Sequence, residues 1–105
     1  MAKRSTKPAG VAARESILVE RVQTGVRLEK RLLKVLKTLA EYHDLTLGDL
    51  LEGIVLHVFE GKLPFDRANL RRIGELRRFY GLTLRADASH RLRELGEPEG
   101  RPARR

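Results

Sequence analysis

Cationic side chains are the most abundant chemically active groups in this sequence. Its 105 residues contain 22 Lys and Arg against 14 Asp and Glu, which gives a formal net charge of +8. Such an excess favours a polyanionic ligand, most often nucleic acid, although acidic membranes and acidic proteins also bind basic chains. Charge by itself therefore indicates a class of partner and no more.

Side chains suited to catalysis or metal binding are sparse. The absence of Cys excludes disulfides, thiolate metal sites and thiol nucleophiles. No two of the three histidines, His43, His57 and His90, lie at i, i+4 spacing. Phosphate-binding loops and nucleophile motifs are also lacking. We therefore expect a protein that is not an enzyme and that uses no metal or cofactor.

The apolar runs are only a few residues long, so no segment is expected to span a bilayer. The basic start of the chain has no apolar stretch behind it and no cleavage signature. These features predict a cytoplasmic protein without a membrane partner.

Composition divides the chain into four parts. Residues 1–16 lack periodicity and are predicted to form a disordered basic arm, and residues 97–105 a disordered tail. Residues 17–60 carry the strongest periodic signals, and residues 61–96 look like a helical extension. Residues 61–105 hold twelve basic residues against six acidic ones. Since so short a chain buries little surface, dimerisation is a common way to complete its core.

Strict alternation of apolar and polar residues comes first along the chain. Val22, Thr24, Val26 and Leu28 alternate with Arg21, Gln23, Gly25 and Arg27. This period of two predicts a β-strand with one buried face. Everything after it has a helical pattern, so the strand is expected to pair with a second copy of itself in a homodimer.

Helical periodicity follows. The first helix is predicted over about Lys30 to Tyr42, and the second runs from a Thr46 cap to about Phe59. A third helix is predicted between Asp66 and Gly81, and a short fourth helix from Asp87 to Leu95.

The order strand, helix, short turn, helix over residues 21–60 resembles the ribbon-helix-helix repressors of the Arc/MetJ class. The resemblance implies a mostly α-helical homodimer in which two strands form an antiparallel ribbon. In that family the ribbon enters the major groove of double-stranded DNA. A transcriptional regulator, such as a repressor, is therefore the expected function.

The resemblance also implies which residues contact DNA. Gln23, Gly25 and Arg27 would face base edges, where Gln pairs with adenine and Arg with guanine. Glycine has no side chain to read a base, so we expect fewer base contacts than in typical members. The start of the second helix, Thr46, Leu47 and Gly48, would hold a phosphate. Added positive charge beside the groove would come from Lys30, Arg31 and Lys34.

Residues 61–96 need a separate account. We expect them to cover Leu56 and Phe59 of the second helix. Three arginines on one face of the third helix, Arg67, Arg71 and Arg78, either extend the DNA footprint or keep that helix soluble. In an alternative interpretation, the chain is an antitoxin-like or adaptor dimer whose main ligand is another protein bound through residues 61–96.

Overall fold

The computed structural model describes residues 16–96 and contains three α-helices within that range. They are α1 (Lys30–Tyr42), α2 (Leu47–Phe59) and α3 (Arg67–Tyr80), followed by a single 3₁₀ turn, Ala86–Ala88. The predicted bounds of these three helices agree with the structure. Apart from residue 16, the predicted basic arm lies outside the described residues, and so does the predicted tail 97–105.

Each helix begins at a side chain that accepts a hydrogen bond from the first turn. Thr46 Oγ1 accepts from the Asp49 amide at 3.0 Å, and Asp66 Oδ1 accepts from the Asn69 amide at 2.8 Å. Both caps were predicted, because each residue directly precedes a helical apolar pattern. Glu29 also caps α1, and its bond from the Leu32 amide, at 2.8 Å, lowers the pKa of its carboxyl group.

Glycines end the second and third helices. Gly61 and Gly81 have φ values of +74° and +71°, a left-handed conformation that costs glycine little. After α3 the amide of Leu82 donates to the carbonyl of Arg77 at 2.8 Å, and the Leu82 side chain is buried. This hydrogen bond and hydrophobic contact turn the chain back onto the core.

The three helices share one small core. Its centre is formed by Leu39 and Ala40 of α1 and Leu50 of α2, and Leu39 is only 1% exposed. Partly buried side chains from all three helices and from the turns before α2 and α3 pack around this centre: Leu36, Leu45, Ile54, Phe65, Ile73 and Leu76. Residues 30–82, which we call the helical unit, therefore form one packed body that includes the predicted extension.

The ribbon-helix-helix prediction is wrong for the described chain, because residues 16–29 contain no strand. We call these residues the N-terminal segment. Strand hydrogen bonds need a neighbouring strand, and residues 16–96 of the chain provide none. The apolar positions of the predicted strand are consequently exposed, with Val22 at 80% and Val26 at 72%.

Two predictions about residues 61–96 are also wrong. The fourth helix is absent, and only Ala86–Ala88 form a 3₁₀ turn, since a helix this short needs packing that the exposed Leu92 and Leu95 do not receive. Leu56 and Phe59 are not covered, because they remain 64% and 80% exposed. Phe65, Ile73 and Leu76 of the extension pack instead on the core cluster of Leu39, Ala40 and Leu50.

Candidate nucleic-acid interface

An open groove of about 880 Å³ separates the N-terminal segment from the first two helices. Its walls come from residues 20–26 and Leu28, from Leu33 and Lys37 of α1, and from the first half of α2 with its cap. Apolar side chains dominate the lining: Val22, Val26, Leu28, Leu33, Leu47 and Leu51. Its charged lining consists of two bases, Arg21 and Lys37, and three acids, Glu20, Asp49 and Glu52. Such a surface suits an apolar ligand better than a polyanion.

Arg21 connects the N-terminal segment to α2. Its Nε and Nη2 atoms donate to the two carboxylate oxygens of Glu52 at 2.9 and 2.6 Å, and Nη2 also donates to Asp49 at 3.1 Å. The hydrogen bond and charge of Arg21 lower the pKa of Glu52. Because Arg21 and Glu52 are exposed, their contact positions the segment but adds little stability.

Arg27, the predicted guanine-reading residue, is also engaged. Its Nε donates to a carboxylate oxygen of Glu94 at 2.8 Å, and its Nη2 contacts the same oxygen. This pairing lowers the pKa of Glu94. Both side chains are largely solvent-exposed, so a competing anion can reach the guanidinium group.

The start of α2 has the features expected of a weak anion site. The amides of Leu47 and Gly48 belong to the first turn and have no partner within the helix. Thr46 uses its hydroxyl oxygen as the cap acceptor. The carboxylate of Asp49, in the same turn, opposes a phosphate there, although Arg21 partly neutralises it.

The three basic residues of α1 fall into two groups. Lys30 is exposed at the first position of the helix. Arg31 donates to the Gly81 carbonyl at 3.0 Å and to Glu29 at 3.2 Å, so its guanidinium group is already bound by groups of the same chain. Lys34 lies 5.8 Å from the centre of the Tyr80 ring. Arg31 and Lys34 both contact the end of α3, so neither side chain is placed to add charge beside the groove.

The structure therefore brings together part of the predicted site. Gln23, Gly25 and the start of α2, Thr46, Leu47 and Gly48, line one groove, whereas Arg27, Lys30, Arg31 and Lys34 do not line it. The sequence did not predict that Lys37 and Arg21 would line the groove. Lys37 lies three residues after Lys34 on the same helix, which is a usable signal. No local pattern connects Arg21 with Glu52, 31 residues away.

A second apolar surface continues from the groove along α2. Leu47, Leu51, Val55 and Val58 recur at i, i+4, i+8 and i+11, so they share one face of the helix. The first two line the groove, and Val55 and Val58 are exposed beyond it. Although α2 consists largely of apolar residues, Leu50 is its only buried side chain.

Two findings bear on other classes of function. None of the helices within residues 16–96 is long and apolar enough to cross a membrane. Within the same range, no three His, Asp or Glu side chains come together as metal ligands.

Comparisons with protein-family models, curated proteins and solved structures found no match to this chain.

Proposed function

We propose that this protein is a homodimeric, double-stranded-DNA-binding protein that regulates transcription. The proposal rests on the position of the positive charge at the surface of the chain. The chain has a net charge of +8, and no charged or polar residue is buried among residues 16–96. Cationic side chains at a protein surface bind the DNA backbone with release of counterions, and such side chains are exposed on the described part of this chain.

The apolar surface that one chain leaves uncovered supports the proposal of a homodimer. Only five apolar residues are buried in the described chain: Val35, Leu39, Ala40, Leu50 and Leu82. The exposed apolar face of α2 beyond the groove, with Val55 and Val58, offers a surface for a second copy. Burying Val55 and Val58 there would supply the hydrophobic stabilisation that the single chain lacks.

Contact with bases is assigned to the N-terminal segment. Gln23 and Arg27 are exposed, and their side chains are the types that read adenine and guanine. Binding would require Arg27 to exchange Glu94 for DNA, which is cheap because an exposed ion pair contributes little. Phosphates would bind at the start of α2, through Thr46, Leu47 and Gly48.

Selection from a random duplex library tests the DNA proposal. We expect the wild-type protein to enrich a partly palindromic sequence, because a two-fold dimer presents its surface twice. Arg27→Ala should bind that sequence roughly tenfold or more weakly. Lys62→Ala is the matched control, because it removes the same charge from a residue paired with Glu60 and should keep the preference.

Absence of duplex binding by the wild type at low salt would contradict the proposal. The alternative, a dimer whose main ligand is another protein bound through residues 61–96, would then be favoured. Enrichment of a sequence that Arg27→Ala binds equally well would retain DNA binding but remove the base-reading role of Arg27.

Sedimentation equilibrium tests the dimer. Val58→Glu places a charge on the apolar face that continues the groove, so we expect it to shift the protein to monomer. Leu56→Glu is the control, because Leu56 is similarly exposed but lies on nearly the opposite side of α2. A wild-type monomer at high micromolar concentration, or equal effects of both variants, would contradict this interface.

A further inference from the structure

The outer face of α3 carries a row of arginines that the proposed function does not use. Arg67, Arg71 and Arg78 recur at i, i+4 and i+11, and all three are exposed. At 100° per residue they lie roughly opposite Ile73 and Leu76, which pack on the core. We call these three residues the arginine stripe.

No partner within the described chain occupies the stripe. Among residues 16–96, the side chains of Arg67, Arg71 and Arg78 make no hydrogen bond, ion pair or stacking contact. Several other arginines do contact groups of the chain: Arg31 donates to the Gly81 carbonyl, and Arg72 lies 3.8 Å from the centre of the Tyr42 ring and donates to its hydroxyl. The stripe therefore presents three fully available guanidinium groups.

The stability of α3 does not explain why three arginines lie on this face of the helix. Arg67 is the first residue of α3, at the positive end of the helix dipole, where a cation is unfavourable. The helix has five arginines, one glutamate and no lysine. Solubility would be served as well by lysine or glutamate, whereas arginine is the residue suited to bidentate contact with phosphate.

The length of the stripe fits a duplex. Arg67 to Arg78 spans about 16 Å of helix, close to half a turn of B-form DNA. Gly74 lies between them, and a Cβ there would lie 3.9 Å from Nη1 of Arg78. The guanidinium group of Arg78 therefore lies near Gly74, on the side of Arg71. Glu75 is exposed on the same face of α3 and adds one negative charge beside the three positive ones.

The stripe is separate from the proposed base-reading site. The groove is lined by the N-terminal segment, α1, α2 and the α2 cap, and no residue of α3 lines it. We propose that the arginine stripe is a second nucleic-acid surface, which binds the phosphate backbone of double-stranded DNA irrespective of sequence. This inference rests on the proposed DNA-binding function and adds to it a contact outside the groove.

The salt dependence of binding tests the proposal. Fluorescence anisotropy with a labelled duplex of random sequence gives the slope of log affinity against log salt for each variant. We expect Arg67→Ala/Arg71→Ala to flatten that slope by about two, because each lost phosphate contact changes it by about 0.9. Adding Arg78→Ala should flatten it by about one more.

Lys62→Ala/Arg91→Ala is the matched control. It removes the same charge from residues that contact Glu60 and the Asp87 carbonyl, so its slope should stay near that of the wild type. The stripe variant should also weaken binding equally on selected and random duplexes, unlike Arg27→Ala. Thermal melting checks the fold, which the exposed, unpaired positions of Arg67 and Arg71 should leave intact.

Each outcome has a distinct meaning. If the wild type binds DNA and the stripe and control variants have the same slope, the stripe is not a phosphate-binding surface and the proposed function is unaffected. If the wild type binds no duplex, the proposed function fails and this inference fails with it. If the stripe variant loses binding only on the selected sequence, the stripe contacts bases, which also overturns the proposal.

Discussion

The helical unit, residues 30–82, and the N-terminal segment, residues 16–29, are held in different ways. Buried leucines, three capped helices and two left-handed glycines stabilise the helical unit. The segment has exposed apolar side chains, and ion pairs through Arg21 and Arg27 connect it to the rest of the chain. The helical unit is therefore held by buried packing and helix caps, whereas the position of the segment is open to change by a second copy or a ligand.

The largest effect should come from the centre of the helical unit. Leu39→Ala removes a side chain that is 1% exposed, and large-to-small changes in a core cost roughly 2–5 kcal/mol. We expect a clear fall in the free energy of unfolding, measured by urea denaturation. Val22→Ala is the matched control in the segment, and an equal loss there would remove the distinction between the two regions.

A smaller loss should follow from removing a helix cap. Asp66→Ala deletes the acceptor for the Asn69 amide, which typically costs about 1 kcal/mol. Asp66→Asn keeps an acceptor oxygen and should restore most of the stability. Denaturation curves of the two variants provide the measurement, and equal curves for Ala and Asn would show that the cap does not stabilise α3.

The smallest effect on stability should come from the segment. Arg21→Ala removes the exposed contacts to Glu52 and Asp49, so the melting temperature should hardly change. Backbone NMR order parameters over residues 17–28 should nevertheless fall, because the segment loses its connection to α2. A large drop in melting temperature would mean that the segment belongs to the cooperative unit.

Acid should weaken the same connection. Arg21 lowers the pKa of Glu52 from its ordinary value of 4.5. The contact is therefore fully present above about pH 4.5 and is lost as the pH falls through the lowered pKa. Carboxyl titration by NMR should show Glu52 returning towards its ordinary pKa in Arg21→Ala, and an unchanged titration would exclude the pairing.

The helices could be predicted from the sequence because their signals are local. Thr46, Asp66 and Gly81 each lie within one turn of the helix end that they define, and the apolar spacing identifies the buried face. The periodicity of apolar residues does not show which other element a helix face packs against. It could not show that Phe65 and Ile73 pack against the α1–α2 core while Leu56 stays exposed.

The N-terminal segment shows more clearly what an alternating sequence pattern cannot predict. Alternation at Val22, Thr24 and Val26 predicts extended backbone, but a strand also requires a partner, and residues 16–96 contain none. The contacts that hold the segment, Arg21 with Glu52 and Arg27 with Glu94, join residues 31 and 67 positions apart. No local rule connects positions so distant, so this part of the site required the structure.

The most direct test of DNA binding is the affinity of the wild-type dimer for a duplex between about 50 and 200 mM salt. We predict tight binding at the lower concentration and a loss of about a thousandfold or more at the higher one, as expected for six or more phosphate contacts. Undetectable binding at the lower concentration, or an affinity that salt does not change, would contradict the account.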